Sequence, residues 1–102
     1  MWKDEFGRDI TIGSRVVHMT RAAGAILHVV GVIVGTTPLG DDGWVSIDLT
    51  DRSVALIQFY NEHKFKSGER VRPVSRRVSR VACASLIRVD DETDVLEVVA
   101  NR

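Results

Sequence analysis

The chain has 102 residues, and its fourteen Lys plus Arg balance fourteen Asp plus Glu, so the formal net charge is zero. Apolar residues make up 44% and charged residues 27%, ordinary globular proportions that exclude a collagen, a long disordered tail and a strongly basic histone-like protein. A single domain over residues 1–102 with one modest core is expected at this length.

The one cysteine, Cys83, cannot staple its own chain, so a disulfide scaffold is out. The opening Met1–Phe6 lacks the apolar centre of a signal peptide. The longest uncharged, apolar-dominated stretch, residues 22–35, carries three glycines and His28 and is too short to span a bilayer as a helix. A cytoplasmic protein without a membrane anchor is expected. Sixteen valines and seven isoleucines stand against six leucines, a bias toward β-branched side chains that favours sheet.

In chain order, Gly7–Gly13 reads as an entry turn with a short strand, Ile10 and Ile12 alternating with polar neighbours. Arg15–Met19 is a second β-prone run. Ala25–Val34 is the strongest strand, apolar on both parities and so expected to be buried on both faces, with Gly31 marking a bulge or bend. Residues 35–43, with Pro38, Gly40, Asp41 and Asp42, form a loop. Trp44–Leu49 alternates, with Val45, Ile47 and Leu49 on one face. Thr50–Ser53 reads as a turn. Val54–Tyr60 is either a hairpin strand or a helix capped near Thr50 or Asp51, and its β-branched and aromatic content favours strand. Lys66–Glu69 suits a hairpin turn between Asn61–Phe65 and Arg70–Val74. Residues 75–83 fit neither period well: a strand puts Val78 with Arg76 and Arg80, a helix makes a ridge of Arg72, Arg76 and Arg80. Leu86–Val89 is a closing strand, and 90–102 is an acidic last strand or loose tail.

The order Gly7–Val17, with its Ile-x-x-Gly-x-x-Val-Val shape around Ile10, Gly13, Val16 and Val17, then Gly31-Val32-Ile33-Val34-Gly35, then Leu86-Ile87-Arg88-Val89, resembles small Src-homology-3-like barrels. In particular it is similar to short barrel proteins of bacteriophages infecting actinobacteria. The resemblance implies a mostly β fold, a small Src-homology-3-like β-barrel of five to seven short strands with room for one short helix. It implies a phage origin and a host-cytoplasm location, but no activity and no site residues.

No phosphate-cradling glycine loop and no zinc spacing is present, so no cofactor and no metal is expected. His28, in an apolar strand, reads as a structural histidine. Cys83, between Ala82 and Ala84, reads as a small buried thiol rather than a nucleophile, and Asp41 and Asp42 as solvated turn residues. No catalytic constellation is visible, so no enzyme is expected.

The informative feature is charge distribution. Residues 1–63 carry five cations and eight anions, residues 64–88 eight and one, and residues 89–102 one and five, giving −3, +7 and −4. The basic block holds Arg70, Arg72, Arg76, Arg77 and Arg80, with Phe59, Tyr60 and Phe65 at or just before its start. Such a ribbon suits phosphates, with the aromatics as stacking surfaces, which makes nucleic-acid binding the alternative reading. The competing reading pairs these arginines with Asp41, Asp42, Asp48 or the 90–97 acids, within the fold or between subunits. Zero net charge favours the competing reading. The expected function is therefore a non-enzymatic interaction module that binds a protein partner or itself as a homo-oligomer. Its expected contact residues are Trp44, Arg70, Arg72, Arg76, Arg77 and Arg80.

Overall fold

The structure is a computed structural model and describes residues 2–22, 24–36, 43–64 and 74–90. The β-branched runs form strands: β1 Trp2–Lys3, β2 Asp9–Ile10, β3 Arg15–Ala22, β4 Ala25–Thr36, β5 Trp44–Leu49, β6 Arg77–Ala82 and β7 Ile87–Arg88. One helix, α1, spans Asp51–Lys64, and a 3₁₀ turn covers Cys83–Ser85. The mostly β reading is therefore correct for the described residues. Residues 37–42 of the loop read at 35–43, the Lys66–Glu69 turn with residues 70–73 of the strand after it, and the segment 91–102 lie outside them, and with them Arg70 and Arg72.

β1 and β2 form a small antiparallel ribbon, and the other strands form one antiparallel sheet in the order β6-β5-β4-β3-β7. β6 and β7 are thus the two ends of the sheet, yet only residues 83–86 separate them. Laid flat, those ends would stand about 19 Å apart, four spacings of roughly 4.8 Å. A 3₁₀ turn advances only about 2 Å per residue. The sheet must curl to bring its ends together. Among the described residues no ladder joins β6 to β7, so the sheet is open, and strand pairing does not by itself give the closed barrel expected from the sequence.

The alternation read in β5 matches its burial: Val45, Ile47 and Leu49 are buried, whereas Trp44, Ser46 and Asp48 are not. They join Val16, Leu27, Val29, Ile33, Val81, Leu86 and Ile10 in the main core. β4 is buried on both faces only at its centre. There Val30 packs with Val17, Ile87 and Val89 in a second cluster, whereas Ile26 and Val34 at either end are exposed.

Gly31 has a different role from the one its position suggests. The register shift in the β4–β5 ladder lies between Ile33 and Gly35. Gly31 itself pairs with Leu49. A Cβ built on it would lie 3.0 Å from the Asp48 carbonyl oxygen and 3.2 Å from Ile47 Cδ1. This glycine allows close approach of two backbones.

The strand reading of Val54–Tyr60 is overturned, since these residues, with Asn61–Lys64, are helical. Thr50 decides the matter locally. Its hydroxyl accepts from Ser53 N (3.3 Å) and its carbonyl from Val54 N (3.0 Å), the bonds of a helix N-cap. Thr50 N donates to Val30 O (2.9 Å), and Val30 N donates to the buried Ser53 hydroxyl (2.8 Å). The first helical turn therefore takes over the ladder on β4 where β5 ends. Val54 and Ile57 then pack onto the core. Ser53→Ala is expected to strand the Val30 N–H and lower unfolding free energy by about 1–3 kcal/mol, measurable by urea titration. A loss below about 0.3 kcal/mol would mean that the ladder does not depend on the hydroxyl.

Candidate interaction site on the open sheet edge

An open sheet presents unpaired backbone groups at both ends, and this one treats its two ends differently. At the β7 end, Glu5 N donates to Leu86 O (2.8 Å) and Arg88 N donates to Asp4 Oδ2 (2.9 Å). The Arg8 guanidinium donates to the Arg88 carbonyl. The loop between β1 and β2 thus covers that edge, turning back through Gly7 at φ +78°.

Asp4 organises the cover. Its fully buried carboxylate accepts from Phe6 N (3.0 Å) and Arg8 N (2.8 Å) as well as Arg88 N, and Arg8 Nε lies 3.2 Å from Oδ2. Burial pushes its pKa up, but the backbone N–H donors and the Arg8 charge outweigh burial and hold it below the usual carboxylate range.

At the other end, among the described residues, no strand or loop pairs with the outer flank of β6, where Arg77, Ser79 and Arg80 are exposed. Val78 and Val81 pair with Ile47 and Val45 on β5. The register shift between them places both Ser79 and Arg80 opposite Ser46, a bulge. Arg80 sits at φ +60°, the one non-glycine residue with positive φ among those described. A side chain there costs about 1–2 kcal/mol relative to ordinary backbone. The bulge aims the Arg80 guanidinium over the Trp44 ring, 5.5 Å from its centroid. Trp44 is 36% exposed, so the pair stands at the surface as an amphipathic contact.

The other described arginines of the basic block are engaged by neighbouring groups of the fold. Arg77 forks onto Asp48, Nε toward Oδ1 and Nη2 toward Oδ2, the pairing anticipated for Asp48 in the charge-neutralising reading. Arg76 reaches the helix start, donating to Leu49 O (3.0 Å) and to the Asp51 carboxylate. Arg88 donates to Asp9 O (3.0 Å). The structure thus brings Trp44 and Arg80 together, with the Arg77–Asp48 pair farther along β5 and β6, and turns Arg76 away toward α1. Among the described residues Arg80 has no carboxylate partner. Asp4 and Ser53 escaped the sequence reading because their partners lie far away in the chain. The run Asp4-Glu5-Phe6-Gly7 carries only a turn signal.

Cys83, the first residue of the 3₁₀ turn, is buried, and burial pushes its thiol pKa up, away from nucleophilic use. His18 is pushed down by burial on the core face of β3. Among the described residues no metal-binding cluster of His, Cys, Asp or Glu occurs, and no helix is long and apolar enough to cross a membrane. No family model matches the chain, and no curated protein or solved structure is similar to it.

Proposed function

We propose that the protein is a non-enzymatic interaction module that binds a protein partner along β6, with Trp44 and Arg80 as the contact pair. The observation that carries this reading is the asymmetry of the sheet: the β7 edge is covered by the protein's own loop, while among the described residues nothing pairs with the β6 flank, which lies beside a strained, surface-directed cation–π pair. Backbone strain persists where the surrounding structure holds it, and it concentrates at binding sites. An edge strand offers main-chain hydrogen bonds to an extended peptide, and a carboxylate on that peptide would complement Arg80. The curled meander, with a 3₁₀ link returning β7 to β3, supports a Src-homology-3-like barrel as the scaffold. A phage accessory protein acting in the host cytoplasm is the setting that the sequence resemblance suggests. The nucleic-acid alternative is weakened because Arg76 and Arg77 are engaged by Asp51 and Asp48.

Selection of a random-peptide library on the immobilised protein is expected to enrich extended peptides carrying an acidic residue. Trp44→Ala and Arg80→Gly should each weaken the selected peptides about ten-fold. Arg80→Gly should leave thermal stability within about 1 kcal/mol of the parent, because relief at positive φ offsets the lost cation–π contact. Peptides indifferent to both substitutions, or tight low-salt binding of a labelled DNA duplex or single strand with no peptide enriched, would refute the reading.

A further inference from the structure

The run Arg76-Arg77-Val78-Ser79 places arginines three and two residues before a serine. Val78 and Val81 carry the core contacts of β6, whereas Arg77, Ser79 and Arg80 are exposed. The bulge sets Ser79 and Arg80 together opposite Ser46, and Arg77 pairs with Asp48. Three serines are exposed among the described residues: Ser75, Ser79 and Ser85. The hydroxyls of Ser75 and Ser85 donate to the carbonyls of Arg77 (3.0 Å) and Ala82 (2.7 Å). The Ser79 hydroxyl has no hydrogen-bond partner among the described residues.

We infer that Ser79 is a phosphorylation site for a serine kinase that reads arginines ahead of its acceptor. Such a kinase takes its substrate extended and matches the arginines with acidic pockets. β6 already supplies an extended backbone, and among the described residues no ladder occupies its outer flank. Arg76 and Arg77 precede Ser79 by about 10 Å and 7 Å of strand. Their ion pairs with Asp51 and Asp48 lie at the surface, the arginine side chains 52% and 56% exposed. Pairs of that kind contribute little to stability, so acidic groups of a kinase can take the arginines over. In the reaction the Ser79 Oγ attacks the γ-phosphorus of a magnesium-bound nucleoside triphosphate. The Oγ–P bond forms as the bond from that phosphorus to its bridging oxygen breaks. The nucleoside diphosphate leaves with the electron pair, and the hydroxyl proton passes to the kinase's catalytic carboxylate. The product carries a charge of about −1.5 to −2 beside Arg80, which has no carboxylate partner among the described residues. That charge draws the guanidinium off Trp44 and closes the β6 flank to acidic peptides. The closure rests on the peptide-binding reading; the modification does not.

The test incubates the full chain with magnesium, ATP and a purified serine kinase of Arg-Arg-x-Ser selectivity, its activity verified on an unrelated substrate peptide. Intact mass should rise by one phosphoryl group, and fragmentation should place that group on Ser79. Ser79→Ala should take up none. Arg76→Gln combined with Arg77→Gln should slow labelling at least about ten-fold. All three positions are exposed, and unchanged circular dichroism melting would show that the fold is intact. A folded chain left unlabelled overturns the inference. So does labelling that persists in Ser79→Ala, or that is indifferent to the loss of both arginines. Labelling is read by mass whether or not any peptide binds, so the two readings fail separately. Peptides selected on β6 should bind the phosphorylated chain at least about ten-fold more weakly and bind Ser79→Ala as they bind the parent. Peptides that hold the phosphorylated chain undiminished would overturn the closure.

Discussion

Asp4→Ala is expected to cost about 3–5 kcal/mol of unfolding free energy, the loss that follows when a buried, fully partnered charge is removed. Three backbone N–H groups and the Arg8 guanidinium lose their acceptor at once, and the β7 edge loses its cover. A domain of this size typically has only about 5–15 kcal/mol in total, so the melting temperature should fall by more than about 12 °C. Asp4→Asn keeps the shape and one acceptor oxygen, and should cost roughly half as much. A loss under about 1 kcal/mol for the alanine variant would mean that water replaces the carboxylate without penalty. The same group sets the acid limb. Its folded pKa lies below its unfolded value, so the unfolded chain takes up the proton first, and stability falls as pH drops below about 4. His18 acts earlier with the same sign. Its depressed pKa means that the unfolded state protonates first, and stability should begin to decline below about pH 6.5. Urea unfolding across pH 3–8 should show both phases, and His18→Gln should remove the upper one.

Gly31→Val should be comparably damaging. The added branched side chain would meet the Asp48 carbonyl, a backbone atom that cannot move without disturbing the β4–β5 ladder. Overpacking in a filled core typically costs about 1–3 kcal/mol and more where backbone must shift. At least about 3 kcal/mol is expected, with Gly31→Ala intermediate. A valine variant as stable as the parent would show that the two strands separate freely at this point. Because the contact is shared by the two halves of the curled sheet, a broadened thermal transition is also expected.

The sequence was most legible where a strand had one wet face. β5 could be read residue by residue, because Val45, Ile47 and Leu49 alternate with groups that stay in water. It was misleading at α1, where Val54 and Ile57, which would suit a strand, pack on the core from a helix, and Phe59 and Tyr60 stand exposed. Strand propensity reflects packing context more than backbone preference, and here the cap at Thr50 and the docking of Ser53 on β4 decided the outcome. β6 resisted both periods for a physical reason: a bulge at Ser79 and Arg80 breaks the alternation, and Arg76 and Arg77 are held by carboxylates on other elements. Of the candidate site, Trp44 and Arg80 were visible as residue types, but not as a pair. Nothing local in the chain announces that a cation 36 positions away will lie over that ring.

The carboxylate of Asp4 reaches the amide of Arg88 across 84 residues of chain. The bond that seals the sheet therefore joins a segment synthesised well before β7 to β7 itself. During translation the β1–β2 loop must wait, its partner still unmade, until β7 has emerged and returned to β3. Contacts so distant in sequence slow folding, since the closure entropy falls due before the contact can repay it. A nascent chain halted before Ile87 would hold β3 with a bare flank and an acidic side chain without its docking amide. Completing β7 is the event that commits the β1–β2 loop to its place.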